Sequence, residues 1–467
     1  MKLAILGGGG FRVPLIYRAL VDYEAQGVID EIRLYDTNYM RLDAIRKVIH
    51  RLQERSYVTP RLSVTTDLRE AINGVDFIFS AIRVGGIHGR AHDEKIAREL
   101  GILGQETTGF GGISYALRGL PIALDIAHTI VDINPEAWVI NFTNPAGIVT
   151  EACQRILGDR VIGICDSALG LAARAAQSAC TAGFISSPRD TTADILNGTI
   201  GIDYCGLNHL GWLTGLYVDG TDILPRVLTS SEALSDFTEG RLFGRSWLSS
   251  LKCLPNEYLH YYYFTREIIR ADANAAATRG HFLAEQQHQF YTRVDQTPSE
   301  DALELWKTTW RERESTYMAT NYAVADKAGT KQDEHGHVDL GAGGYDQIAA
   351  AIIQAIGCDE PAHLVLNVAN RGTISFLSDD AVIEVPCVVD AHGVHPLPVS
   401  SLPEHARGLV HSIKNVEQTV IQAVETKSWD LVIQALAIHP LVDGVGTARL
   451  ACEALQSRFP ELAYLRS

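Results

Sequence analysis

From Lys2 to Cys165, short and almost uninterrupted apolar runs alternate with stretches whose apolar residues fall at every third or fourth position. The runs predict strands at Lys2–Leu6, Glu31–Tyr35, Leu62–Thr65, Phe77–Ala81, Trp138–Phe142 and Val161–Cys165, and the intervals between them predict helices, the first from Leu15. Runs that stay apolar, with no polar alternation, belong to strands buried on both faces, as in a parallel sheet with helices on either side. After Asp190 the pattern changes. Short strands at Ile195–Ile202 and Ala381–Val389 mix with long helical patterns at 281–295, 299–322, 344–356, 404–426 and 428–438. The expectation is an α/β fold: a Rossmann-type, doubly wound parallel sheet over residues 1–192, and a second, α+β domain over 193–467 that carries substrate, metal and subunit contacts. A chain of 467 residues is too long for one ordinary core, which fits that division.

Composition narrows the partners. A formal charge of −16 speaks against nucleic acid, whose phosphates are held by clustered cations, but leaves room for a small anionic substrate. No apolar run approaches the roughly 20 residues that cross a bilayer, so no membrane partner is expected. Eight cysteines are scattered without a CxxC pair, which suits free thiols and a cytoplasmic location.

The first strand runs into Gly7-Gly8-Gly9-Gly10-Phe11-Arg12 before the helix begins. A glycine-rich strand-to-helix turn lets backbone approach a pyrophosphate at a helix N-terminus, although Arg12 occupies the third glycine of the usual GxGxxG. The second strand ends at Asp36. An acid there accepts from ribose hydroxyls and repels a 2′-phosphate, favouring NAD over NADP; a helix cap is its plainer role. The later strand ends are rich in polar groups: Arg83-Val84 with Arg90, Gln105-Glu106, Asn141 with Thr143 and Asn144, and Cys165-Asp166. Taken singly, each has a bland role: surface charge, cap, turn former or buried small thiol. Their coincidence at consecutive strand ends points to a ligand site. Cys165 and His209, in Gly206-Leu207-Asn208-His209, make a metal pair if the fold unites them, with positions left open for substrate oxygens.

Those same stretches resemble glycoside hydrolase family 4, the NAD- and metal-dependent glycosidases, over nearly the whole chain. The likeness rests on Arg83-Val84-Gly85-Gly86, Gln105-Glu106-Thr107-Thr108-Gly109, Asn141-Phe142-Thr143-Asn144-Pro145, Gly163-Ile164-Cys165-Asp166 and Gly206-Leu207-Asn208-His209-Leu210, then Tyr258 to Tyr263, Thr278-Arg279, Asn367 with Asn370, Val385-Pro386-Cys387 and His439-Pro440-Leu441-Val442. It is most similar to the 6-phospho-β-glucosidase branch. The family is an exception to two-carboxylate glycosidase chemistry. The resemblance implies a lactate/malate dehydrogenase-like nucleotide half and hydrolysis through oxidation at C3, proton loss at C2, elimination of the aglycone, addition of water and reduction. It implies NAD held by Gly7, Gly8, Gly9, Gly10, Phe11, Arg12, Asp36, Arg83, Val84, Asn141 and Thr143, and Mn²⁺ on Cys165 and His209. Tyr258 would be the base, with Tyr261 and Tyr262 as substitutes, and Asp166 would assist the leaving group. Arg90, Glu106, Asn144 and Asn208 would bind the sugar and Arg279 its 6-phosphate. Asp at position 166 is more usual in α-acting members, which leaves the anomer open, as are α-galactoside or α-glucuronide substrates. A net NAD-dependent dehydrogenase is the rival outside the family. A homo-dimer or homo-tetramer is expected.

Overall fold

Among the described residues, thirteen strands pair into one sheet: β1 (Lys2–Leu6), β2 (Glu31–Tyr35), β3 (Arg61–Thr65), β4 (Phe77–Ser80), β5 (Trp138–Asn141), β6 (Val161–Gly163), β7 (Ile200–Leu207), β8 (Leu210–Val218), β9 (Thr221–Asp222), β10 (Leu254–Pro255), β11 (Ala362–Ala369), β12 (Val382–Asp390) and β13 (Gly393–Pro396). The computed structural model describes residues 1–22, 28–54, 59–186, 190–273, 275–296, 298, 301–327 and 344–466. The first six strands lie parallel in the order 3-2-1-4-5-6. That order defines the doubly wound dinucleotide-binding sheet, with its crevice where the order reverses between β1 and β4. The fold is of the Rossmann type. Leu3 to Leu6 are fully buried, as the unbroken apolar run requires.

Beyond β6 the sheet continues through antiparallel strands, in the order β11, β12, β7, β8 and β10. Asn367 of β11 pairs with Gly163 of β6, and Glu384 of β12 pairs with Gly206 of β7. The largest apolar cluster runs from Leu3 and Phe77 to Trp212 and Val385, so both halves of the chain share it.

The observed elements differ from the expected ones in three ways. A helix, Thr191–Leu196, occupies the start of the strand expected at Ile195–Ile202; Asp190 caps it by accepting from the Ala193 amide, and Gly198 turns the chain at φ 77° before β7. The helix expected over 299–322, whose first two residues lie outside the described ones, is two helices, Ala302–Ser315 and Ala319–Lys327, separated where Met318 takes φ 53°. The strands expected to reach Ala81, Phe142 and Cys165 end one or two residues sooner, because the chain there already turns into the loops of the sheet edge. All eight cysteines are free.

Candidate active site

Loops from the carboxyl ends of β1, β2, β4, β5 and β6 frame a cavity of about 1730 Å³. The glycine loop forms one wall because its backbone lies closer to its neighbours than a side chain permits. A Cβ on Gly7, at φ 84°, would stand 2.5 Å from the Ala81 carbonyl oxygen, and one on Gly8 would stand 2.7 Å from Leu34 Cβ. Gly7 and Gly8 donate to the Tyr35 carbonyl, Gly10 to that of Gly7, and Gly9 to Asp36 Oδ2 at 3.2 Å. The capping role left open for Asp36 belongs to Asn38, whose side chain accepts from the Arg41 amide; Asp36 faces the cavity. Phe11 anchors the loop between Phe290 and Trp306, and Arg12 lies beside the rings of Trp310 and Tyr345.

A second wall is a chain of ion pairs. Glu106 pairs with both Arg83 and Arg90, Arg90 Nε donates to Glu94 Oε1 at 2.7 Å, and Glu94 Oε2 accepts from the Gly280 amide at 2.6 Å. Burial pushes the Glu106 carboxyl up, but Arg83 and Arg90 outweigh it and hold the group far below the usual carboxylate range. These arginines are not the free surface charges that single arginines usually are. Arg279 also faces the cavity, with its guanidinium donating to the Thr316 carbonyl (2.6 Å) and hydroxyl (2.8 Å) and to the Arg313 carbonyl (3.1 Å). It therefore fixes the turn that follows Ser315. Burial, and then the charge of Arg12, bring Arg313 down to about 9, the sign of a cation without enough anion around it.

At the cavity floor β6 delivers Cys165 and the β7–β8 hairpin delivers His209; both are 5% exposed and both face the cavity. His209 sits at φ 61°, a left-handed conformation that costs a non-glycine residue on the order of 1–2 kcal/mol and that clusters at functional sites. The Thr107 hydroxyl lies 2.9 Å from His209 Nδ1. With the ring proton on Nδ1, directed at that hydroxyl, the Nε2 lone pair would be left to serve as a ligand. Burial pushes His209 down to about 3, so the ring is neutral, and it pushes the Cys165 thiol well above its usual range, with Glu384 and Asp166 adding to the effect. One sulfur and one imidazole suit a divalent transition ion that would draw off the thiol proton. Cys165 and His209 as two protein ligands would leave coordination positions for substrate oxygens; among the described residues no group of three or more His, Cys, Asp or Glu side chains that could hold a metal is present. The donor set fits a catalytic ion.

Tyr258 stacks on His209, with ring centroids 3.7 Å apart and planes 11° from parallel. It lies in the turn Glu257–Leu259 that follows β10, and burial raises its pKa well above that of a free phenol. Tyr261 also faces the cavity, bonded to Asn321 Oδ1 at 3.2 Å, whereas Tyr262 packs near His439 and Tyr263 accepts from Trp212 Nε1.

Two family models account for most of the sequence: the family 4 glycosyl hydrolase model matches residues 2–180, and the C-terminal domain model of the same family matches residues 204–442. The chain belongs to glycoside hydrolase family 4. Among its relatives, a probable 6-phospho-β-glucosidase of Bacillus subtilis is 29% identical, over 95% of this chain and 92% of its own length. A 6-phospho-α-glucosidase of Leptotrichia buccalis is 28% identical, over 97% and 96%. The 6-phospho-β-glucosidase of Thermotoga maritima, solved with manganese, NAD⁺ and glucose-6-phosphate, superposes with a TM-score of 0.77 at 25% identity, covering 98% of each chain.

In this family 4 chain the cavity gathers Gly7, Gly10, Phe11, Arg12, Asp36, Arg83, Val84, Arg90, Glu106, Asn144, Cys165, Asp166, His209, Tyr258 and Arg279. The others lie behind its walls. Gly8 packs against Leu34 and Gly9 against Arg41. Asn141 is bonded to the Thr143 amide and to Thr150 Oγ1, and the Thr143 hydroxyl accepts from the Ile82 amide, so both brace the loops from beneath. Asn208 turns away to donate to Glu384 Oε1 at 3.2 Å. Further cavity residues escaped the sequence reading, Arg313, Glu257 and Arg174 among them. Arg313 sits within the charged run Trp310-Arg311-Glu312-Arg313-Glu314, which gives no sign of facing inward. Glu257 and Arg174 also line the cavity; burial and the neighbouring Glu239 raise the Glu257 carboxyl to about 7. Glu384, which does not line the cavity, left a signal: it is the one charged residue in the apolar run 382–389 of β12.

Proposed function

We propose that the protein hydrolyses glycosides of glucose 6-phosphate, β-linked ones first, with NAD and Mn²⁺ as cofactors, in the cytoplasm and as a homo-dimer or homo-tetramer. The division of labour would follow residues 1–192 for the nucleotide and 193–467 for sugar and subunit contacts. One observation carries this reading: in a family 4 chain, one cavity is lined by the glycine loop with Asp36, by Cys165 and His209, and by Tyr258 and Asp166.

A bound nicotinamide supplies a hydride acceptor and donor at C3, and a divalent ion supplies Lewis acidity at the sugar oxygens. The chain's own residues supply the rest. Since the amides of Gly7 to Gly10 donate inside the loop, a pyrophosphate is left the amides of Phe11 and Arg12 at the mouth of the helix Val13–Asp22. Asp36 receives the ribose hydroxyls; Tyr258, as the phenolate that a cation held by Cys165 and His209 would favour against the effect of burial, takes the C2 proton, and Asp166 hands a proton to the leaving oxygen. Asn144, whose buried Oδ1 has no partner among the described residues, meets a sugar hydroxyl. The surplus of arginine around Arg313 and Arg279 suits the 6-phosphate.

Replacing Asp36 by Ser is expected to weaken NAD binding roughly tenfold, the size of one lost charge-assisted contact, and to strengthen NADP binding through the neighbouring Arg41. Titration of both nucleotides checks it. For the function itself, aglycone release from nitrophenyl 6-phospho-β-glucoside is expected only with NAD and Mn²⁺ together and without net NADH. Full release without nicotinamide would overturn the proposal, and stoichiometric NADH would favour a dehydrogenase. A panel of α- and β-linked, phosphorylated and unphosphorylated glucosides, galactosides and glucuronides assigns the sugar.

A further inference from the structure

Across the middle of the sheet, Gly163 of β6, Asn367 of β11, Glu384 of β12 and Gly206 of β7 stand side by side. The row joins the strand end that delivers Cys165 to the turn that delivers His209. Glu384 is the charged member of that row, and it is fully buried. Its Oε1 accepts from Asn208 Nδ2 at 3.2 Å and from Asn367 Nδ2 at 3.0 Å, and its Oε2 accepts from the Tyr204 hydroxyl at 3.0 Å. Tyr204 is held in turn by Asn256 Nδ2 at 3.1 Å. These partners are all neutral, and among the described residues no cationic side chain pairs with the carboxylate.

A carboxylate enclosed in protein without a counter-cation is costly, and neutral donors offset only part of that cost. Asn208, one of its partners, is the residue before His209, whose left-handed backbone also needs support. A divalent ion on one thiolate and one neutral imidazole retains a single positive charge. A buried carboxylate beside that pair brings the local sum to zero.

We propose that Glu384 is a positioning residue for the metal: through Asn208 it fixes the His209 turn against Cys165, and its charge balances the ion held between them. This rests on the metal reading above. It also explains why Asn208 lies behind the cavity wall and not on it.

The test compares the purified full-length protein with Glu384→Gln and Glu384→Asp. Mn²⁺ affinity is measured by electron paramagnetic resonance of the free ion, and thermal midpoints are measured with and without metal. In Glu384→Gln the Mn²⁺ Kd is expected to rise 10- to 100-fold, the usual penalty for losing a partner behind a metal ligand. Its metal-free midpoint is expected to stay level or rise, because a buried charge has been removed. Glu384→Asp, which keeps the charge, is expected to recover part of the affinity, and NAD binding is expected to be unchanged in both variants. A Kd within twofold of wild type in Glu384→Gln would overturn the proposal, as would a metal-free midpoint that falls while affinity holds, which marks a plain structural brace. Failure of the wild-type protein to bind Mn²⁺ at all would overturn the metal reading, and this inference with it. That result is distinct from equal binding by all three proteins.

Discussion

Tyr258→Phe is expected to lower kcat by 10²- to 10⁴-fold, the range a positioned general base contributes, while the KM for sugar and the affinities for NAD and Mn²⁺ change little. Phenylalanine keeps the ring, so the 3.7 Å stack on His209 survives and the metal pair is undisturbed. Only the oxygen that takes the C2 proton is removed. The loss therefore falls on proton transfer, and it has a signature beyond rate: wild-type enzyme is expected to exchange the C2 hydrogen of product with solvent deuterium, and the variant is not. The control is close by. Tyr261, its ring centroid 6.2 Å from that of Tyr258, faces the same cavity, but its hydroxyl is already bonded to Asn321. Tyr261→Phe is accordingly expected to retain the exchange. If Tyr258→Phe keeps more than a tenth of wild-type kcat and Tyr261→Phe does not, the base is Tyr261. Tyr262 is the weaker candidate, because it packs near His439 behind the wall.

The contrast between the two tyrosines shows which parts of the site sequence can carry. The nucleotide edge was legible because its signals are local: an apolar strand running into Gly7 to Gly10, and an acid immediately after the second strand. Both features sit where a parallel sheet must put them. The parallel sheet follows from the same repeated strand–helix pattern, whereas the order 3-2-1-4-5-6 is set by tertiary structure. That Cys165 and His209 line one cavity is not legible from spacing, since it depends on β11 and β12, late in the chain, inserting between β6 and β7. Only the family resemblance anticipated it. For the same reason β8 and β11 are not legible in the sequence; strands of the second half extend the sheet of the first. Asn141, Thr143 and Asn208 lie in the matching stretches, but spacing does not say which way a side chain points. The hydrogen bonds do, and all three are turned toward their own loops or toward Glu384. Arg313 was hidden for the opposite reason: a charge in a charged helix reads as solvated, and only tertiary packing brings it against Arg12.

Cys165→Ser is expected to abolish metal-dependent turnover, with a loss of at least 10³-fold, while leaving the fold almost as stable as before. The two halves of this expectation have separate causes. Cys165 is the residue before the helix Asp166–Thr181, with extended φ and ψ of −146° and 144°. Serine is among the best residues at a helix N-cap, where its hydroxyl can accept from an amide of the first turn, so the buried oxygen finds a partner and the stability change stays within about 1 kcal/mol. Its ligand chemistry is another matter. A thiol yields its proton to a divalent ion near neutral pH, whereas an aliphatic alcohol does so far less readily, so the variant offers a neutral oxygen in place of an anionic sulfur. With His209 as the remaining protein ligand, Mn²⁺ is expected to bind at least 100-fold more weakly. The sugar oxygens then lose the polarisation that makes the C3–H bond a hydride donor, an effect worth several kcal/mol and therefore several powers of ten in rate. Measured side by side, an unchanged thermal midpoint without metal, a lost Mn²⁺-induced rise in that midpoint and a lost aglycone release form a pattern that no general folding defect reproduces. Retention of Mn²⁺-dependent hydrolysis by Cys165→Ser would remove the thiolate from the reaction, and with it the assignment of the Cys165–His209 pair as the seat of the metal.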